Sequence, residues 1–306
     1  MMLQDIFSSY VSLIPVTLAQ SLALGFVVLG IMIPFRMLSF PDLTSEGAFP
    51  LGGCICGVLL VAGVSPWLAI IAGAAAGFLA GCCTAYIHLR FRIHTLLAGI
   101  LMTTMLYSIN LRIMGKSNLS VFGAPTVFDW VPGTTPGFPA SKIVVAGILT
   151  VIVFVLLNLY YRTEKGIAVR AVGSNPDMAE AQGINVWRAT IGGVGIAGAF
   201  SAFSGAVMVQ SQGFADVNMG LGILINGLAA LMIGEAITGK QTVLRQLAAP
   251  FVGATVYYQL VSLCLAAGMP PPDLKLATGL FVLTMLALPS LKRSRAPAAA
   301  RETMRE

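Results

Sequence analysis

Apolar runs dominate this chain, and short polar breaks divide them. They lie at about Leu13–Phe35, Gly47–Val61, Pro66–Ile87, Thr95–Met114, Ile143–Tyr161, Ala189–Val209, Leu221–Ile237, Leu247–Ala267 and Leu274–Leu291. Most approach the roughly 20 apolar residues needed to cross ~30 Å of hydrocarbon. In lipid every backbone polar group must be satisfied internally, so such runs become helices. The pattern predicts an all-α fold: a polytopic transmembrane helical bundle of about 8–10 spans. The second and seventh runs are irregular, and interrupted helices are expected there. Pro41, Asp42, Thr44, Ser45, Glu46 and Pro50 crowd the start of the second, and FADVNMG precedes the seventh. Phe40-Pro41-Asp42-Leu43 and Phe214-Ala215-Asp216-Val217 resemble each other. Corresponding broken helices in oppositely oriented halves point to an inverted repeat with a transport site near the midplane; the alternative is a chance match of four residues.

The longest polar break, 162–188, holds Arg162, Lys165, Arg170 and Arg188. It contains the signals of a short helix. Ser174 and Asn175 are N-cap types, Pro176 suits the first helical position, and Gly183 suits the left-handed residue past the end. So short a helix does not hold itself together in water, because nucleation is costly. It needs a surface to dock on.

Charge changes the picture by setting orientation. Only 10% of residues are charged and 57% are hydrophobic, which excludes an ordinary soluble domain. The net charge of +6 lies in short loops, so the positive-inside bias accounts for it and nucleic-acid binding is not expected. With Lys292, Arg293 and Arg295 placed inside, single crossings also bring Arg36, Arg90, Arg92, Arg162–Arg188, Lys240 and Arg245 inside. Nine crossings leave the N-terminus outside. The chain reads as one transmembrane domain, 1–291, with a basic tail, 292–306, expected to be disordered. No signal peptide is evident, because the first apolar run is too long and lacks a basic start. Cys54, Cys56, Cys82, Cys83 and Cys264 lie in apolar sequence and read as buried hydrophobes rather than disulfides or a metal site.

Candidate chemistry is sparse. Gly234–Lys240 has Walker-like spacing, but Gln241 stands where Ser or Thr is required and no strand precedes it. Gly193, Gly195 and Gly198 fit a dinucleotide fingerprint, yet they lie within a span. With Ala199, Ser201, Ala202 and Gly205 they read as close helix packing. His88 and His94 read as solvated loop residues. No catalytic or metal constellation appears, so an enzyme is not expected. Polar residues in or beside spans are costly, which makes Asp42, Thr44, Ser45, Glu46 and Asn226 candidates for a substrate pathway. The plainer reading of Asn226 is a hydrogen bond to a neighbouring helix, and that of Glu235 is interfacial water near Lys240.

Tyr161–Gly166, Arg170–Pro176, Ala179, Ala181, Gly183 and Ile184 together resemble the cytoplasmic loop of the branched-chain amino acid and ribose-type ABC importer permeases. Pro41–Gly47 with Leu51–Gly53 resembles that family's interrupted pathway-lining segment. Gly227–Gly234 resembles its "AAxxxGG" helix, with Glu235 in place of the second glycine. The stretch 89–115 is similar to the subgroup linked to aromatic amino acid uptake. The resemblance implies that 162–188 is a coupling loop in which Gly173, Asn175, Pro176, Ala179 and Gly183 serve an ABC ATPase subunit, with Ala179 presenting a flat face to it. It further implies ATP and Mg bound by that partner and no cofactor in this chain. An extracytoplasmic substrate-binding protein, a second permease copy as a homodimer, and a bacterial inner-membrane location with the C-terminus in the cytoplasm follow from it. The implied function is inward alternating-access movement of a small solute, an amino acid, and the subgroup likeness implies an aromatic one. A nucleoside or sugar is the alternative within the class. A stand-alone ion-coupled transporter or channel is the alternative outside it.

Overall fold

The computed structural model describes residues 2–130 and 139–270, with 273, 274, 276–280, 283 and 284 beyond them. In chain order the helices are α1 (Met2–Met32), α2 (Thr44–Val61), α3 (Pro66–Phe91), α4 (Thr95–Met114), α5 (Pro139–Arg162), α6 (Glu164–Ser174), α7 (Pro176–Ala181), α8 (Val186–Gln212), α9 (Ile223–Thr238) and α10 (Val243–Ala266). Among the described residues eight apolar helical segments are long enough to cross a membrane. The expected ninth span, Leu274–Leu291, falls largely outside the described residues, and the tail 292–306 falls wholly outside them. The protein is an all-α polytopic membrane bundle.

By contacts the chain forms two units, and Pro15–Tyr258 is the larger. In the smaller, made of the N-terminal stretch to Ile14 and the chain from Gln259 onward, the Tyr10 hydroxyl donates to Gln259 Oε1 at 3.2 Å.

Within the larger unit α2 is the axis. It is buried along most of its length and packs on α3, α4 and α8. A helix that is apolar all round belongs in a core. Lipid offers apolar groups as good an environment as another helix does, so association rests on close fit. The fit here is backbone to backbone. A Cβ on Gly198 would lie 2.3 Å from the Gly77 carbonyl oxygen, and one on Gly205 would lie 1.9 Å from that of Phe49. The small-residue stripe expected on α8 is therefore the seam that joins it to α3 and α2. By contrast α5 buries only one face, through Val145, Leu149, Val153, Leu157 and Tyr161, and exposes Ile148, Val151, Val155 and Leu159. That is a lipid-facing pattern.

The expected interruptions are real but shifted. The second span is one continuous helix despite Pro50, beginning at Thr44 rather than Gly47. The break lies before it: α1 ends in a π turn (Ile33–Met37), and Ser39 follows with φ of +50°. Ahead of α9 the chain forms β1 (Asn118–Ser120) paired antiparallel with β2 (Phe214–Asp216), then a 3₁₀ turn, Val217–Gly220. The two matching tetrapeptides share one local device. Asp42 Oδ1 accepts from Thr44 N at 2.9 Å, and Asp216 Oδ1 accepts from Asn218 N at 2.8 Å. They lie towards opposite ends of α2.

Candidate functional site

The polar loop 162–188 folds as two helices where one was expected. Thr163 caps α6, its hydroxyl accepting from Gly166 N, and Val169 and Val172 bury one face. That cap, followed by Glu164 and two valines three residues apart, was the legible signal for the missed helix. Asn175 caps α7 as expected: its Oδ1 accepts from Met178 N at 3.0 Å, and Pro176 takes the first position. Gly183 has φ of +82°, while Ile184 N donates to the Ala179 carbonyl at 3.0 Å. This closes the last turn as a left-handed cap does.

Two candidates in this loop face inward. Ala179 is only 3% exposed, packed with Leu38, Phe40, Ala85, Val169, Val172 and Val194. The expectation that it presents a flat outer face is corrected: Met178, 60% exposed, is on that face, with Asp177, Glu180 and Gln182 around it. Gly173 lies against the end of α1. A Cβ there would meet the Met37 carbonyl oxygen at 1.8 Å, and Ser39 Oγ donates to the Gly173 carbonyl at 2.9 Å. The π turn and α6 are thus in direct contact.

An ion triad grips the same turn. Arg36 donates through Nε and Nη2 to the two oxygens of Glu235, each at 2.6 Å, and Lys240 Nζ lies 2.9 Å from Glu235 Oε2. The Glu235 side chain is 4% exposed, so a carboxylate is buried between two cations rather than set in interfacial water. The sequence placed Lys240 beside it but gave no sign of Arg36.

The polar residues at the start of α2 divide. Asp42, Thr44 and Ser45 are buried and internally bonded. Thr44 Oγ1 donates to Asp42 Oδ1 at 2.5 Å and lies 2.8 Å from Thr84 Oγ1, and Ser201 Oγ donates to Ser45 Oγ at 3.0 Å. Burial pushes the Asp42 carboxyl above its ordinary range, against the pull of its two Thr44 hydrogen bonds. Asn226 Oδ1 accepts from the Tyr257 hydroxyl at 3.0 Å, bonding α9 to α10. Glu46 opens onto a cavity of about 40 Å³, lined also by Thr103, Tyr107 and Asn110 of α4. Those three share one face of α4, at spacings of four and three; they were missed because the span was read as a whole and its polar face was not followed. His88 Nδ1 lies 2.6 Å from the Ile93 carbonyl and His94 caps α4; among the described residues no metal-binding cluster occurs.

Residues 14–288 match the family described as branched-chain amino acid transport system, permease component. A tyrosine transport system permease protein of Clostridioides difficile is 37% identical over 90% of this chain and 91% of its own length. The guanosine ABC transporter permease protein NupQ of Bacillus subtilis is 25% identical over 77% of the chain and 76% of its own length. A galactose/methyl galactoside import permease of Haemophilus influenzae is 28% identical over 49% of the chain and 43% of its own length. No solved structure matches.

Proposed function

We propose, from the premise that this chain belongs to the family of branched-chain amino acid transport permease components, that it carries an aromatic amino acid such as tyrosine inward across the bacterial cytoplasmic membrane. The chain is a multi-pass permease subunit and not itself an enzyme. The family implies an ATPase subunit and a substrate-binding protein as partners. ATP and Mg are held by the ATPase. Two copies of this chain enclose the path, and the C-terminus is cytoplasmic.

The single observation behind the substrate is the 37% identity over 90% of the chain to a tyrosine permease. The coupling arrangement draws on the 162–188 loop. Its two capped helices stand outside the apolar spans; α7 exposes Met178, and α6 abuts the π turn that ends α1. A helix of six residues gains stability from burial against a partner. Docking there presses on α6, and through Gly173 on the base of α1. A second substrate reading, a nucleoside or sugar, has the guanosine and galactoside relatives in its favour.

Uptake into proteoliposomes tests this. With the ATPase and binding protein present, labelled tyrosine enters only with ATP. Entry of guanosine or galactose in its place moves the substrate assignment. Entry through the purified chain alone on an ion gradient replaces the importer with a secondary transporter.

A further inference from the structure

The Glu46 cavity carries more than a place on the pathway. Glu46 is in the first turn of α2, eleven positions before Gly57. A Cβ on Gly57 would touch Ala215 and Leu119 of the β ribbon. At ~1.5 Å per residue, Glu46 lies about 16 Å along α2 from that ribbon. The 3₁₀ turn before α9 reaches the same level of α2: a Cβ on Gly220 would stand 2.0 Å from the Glu46 carbonyl oxygen. The seventh span is therefore broken at the level of Glu46. Irregular backbone at membrane depth is tolerated where it is buried in protein or lines a cavity.

Two acceptors at this level have no donor. Among the described residues the Glu46 carboxylate has neither an ion pair nor a side-chain hydrogen bond; the ion pairs there are those of Glu235. Asn110 is fully buried. Its Nδ2 donates to the Gly47 carbonyl at 3.4 Å, which fixes the amide's orientation, and its Oδ1 has no partner. A buried acceptor left unmatched, as Asn110 Oδ1 is, costs about 1–3 kcal/mol; Glu46 is half-buried and presents an unpaired carboxyl beside it. No cation lines the cavity; Thr103, Tyr107, Val217 and Leu221 complete it. Tyr107 and Leu221, both exposed, form an aromatic and apolar rim. About 40 Å³ admits a head group or a water and not a whole amino acid.

We propose that Glu46 and Asn110 form a station on the pathway for the primary ammonium group of the transported solute, while its side chain stays at the Tyr107–Leu221 rim. An ammonium brings three donors and one positive charge, which satisfies the orphan acceptor of Asn110 and neutralises the Glu46 carboxylate. The inference rests on the permease reading and names the substrate group recognised on the way.

Purified full-length chain in detergent tests it by thermal shift with three probes: tyramine, 4-hydroxyphenylpropionate, and sodium chloride against choline chloride. Tyramine raises the unfolding midpoint; the amine-free acid and sodium do not. Glu46→Gln weakens tyramine about 10- to 100-fold, as loss of a charged hydrogen-bond acceptor requires, and Asn110→Leu weakens it about fivefold. Asn110→Leu leaves the probe-free midpoint unchanged or raised, because an orphan acceptor is removed; a purely structural Asn110 would lower it. Equal tyramine binding in Glu46→Gln, a shift with sodium instead, or no shift with any probe overturns the proposal. The two readings fail separately. ATP-driven tyrosine uptake with unaltered tyramine binding in Glu46→Gln removes only the station, and tyramine binding at Glu46 with uptake independent of ATP removes only the importer.

Discussion

Glu235 shows what one side chain adds when its partners come from far along the chain. Arg36 supplies a two-pronged contact from the π turn, and Lys240 a single one from beyond α9. Removing the carboxylate leaves two facing cations unpaired. Glu235→Ala should destabilise the fold by about 1 kcal/mol, since both cations left behind reach solvent. Arg36→Ala should cost more than Lys240→Ala, which should stay below about 1 kcal/mol because Lys240 is 58% exposed. Thermal unfolding of the three variants checks the order, and equal losses would show that the fork on Arg36 adds nothing. Sequence registered Glu235 as a departure from a glycine pattern but not its role. A bond spanning 199 positions leaves no local trace.

Among elements, α6 and α7 separate what was legible from what was not. The boundaries of α7 could be read because caps are local chemistry: Asn175, Pro176 and Gly183 all do what their types favour. Which way the helix faces could not be read, since six residues give under two turns and no period to follow. Ala179 therefore looked outward in sequence and lies inward in space. The consequence is measurable. Met178→Asp should abolish association with the ATPase and leave the unfolding midpoint of the isolated permease unchanged. Ala179→Asp should lower that midpoint, by about 3 kcal/mol for a carboxylate forced into an apolar cluster. A pull-down with the ATPase, run beside a melt, distinguishes them; retained association in Met178→Asp would move the docking face elsewhere.

At the scale of the molecule, the spans and the bundle were legible because hydrophobic length is set by the bilayer alone. The β ribbon was not, since three-residue strands carry no pattern. Nor was the depth of the break before α9, which depends on Gly220 resting on Glu46. Stability should follow the packing. In hydrogen exchange, amides of α2, with those of α8 along its seam, should be the slowest and those of α7 among the fastest, by orders of magnitude. Addition of the ATPase should slow α7 and leave the seam untouched; fast exchange in α2 would refute the arrangement.

That seam has a mechanical consequence. Where carbonyls meet glycines there are no rotamers to rearrange, so α2, α3 and α8 cannot slide past one another by small repacking steps. They form a keel. Any rocking that opens first one side and then the other must carry the keel whole and bend the chain at its margins. The π turn with Ser39 at one end, and the foot of α9 on Glu46, are where the hull can flex.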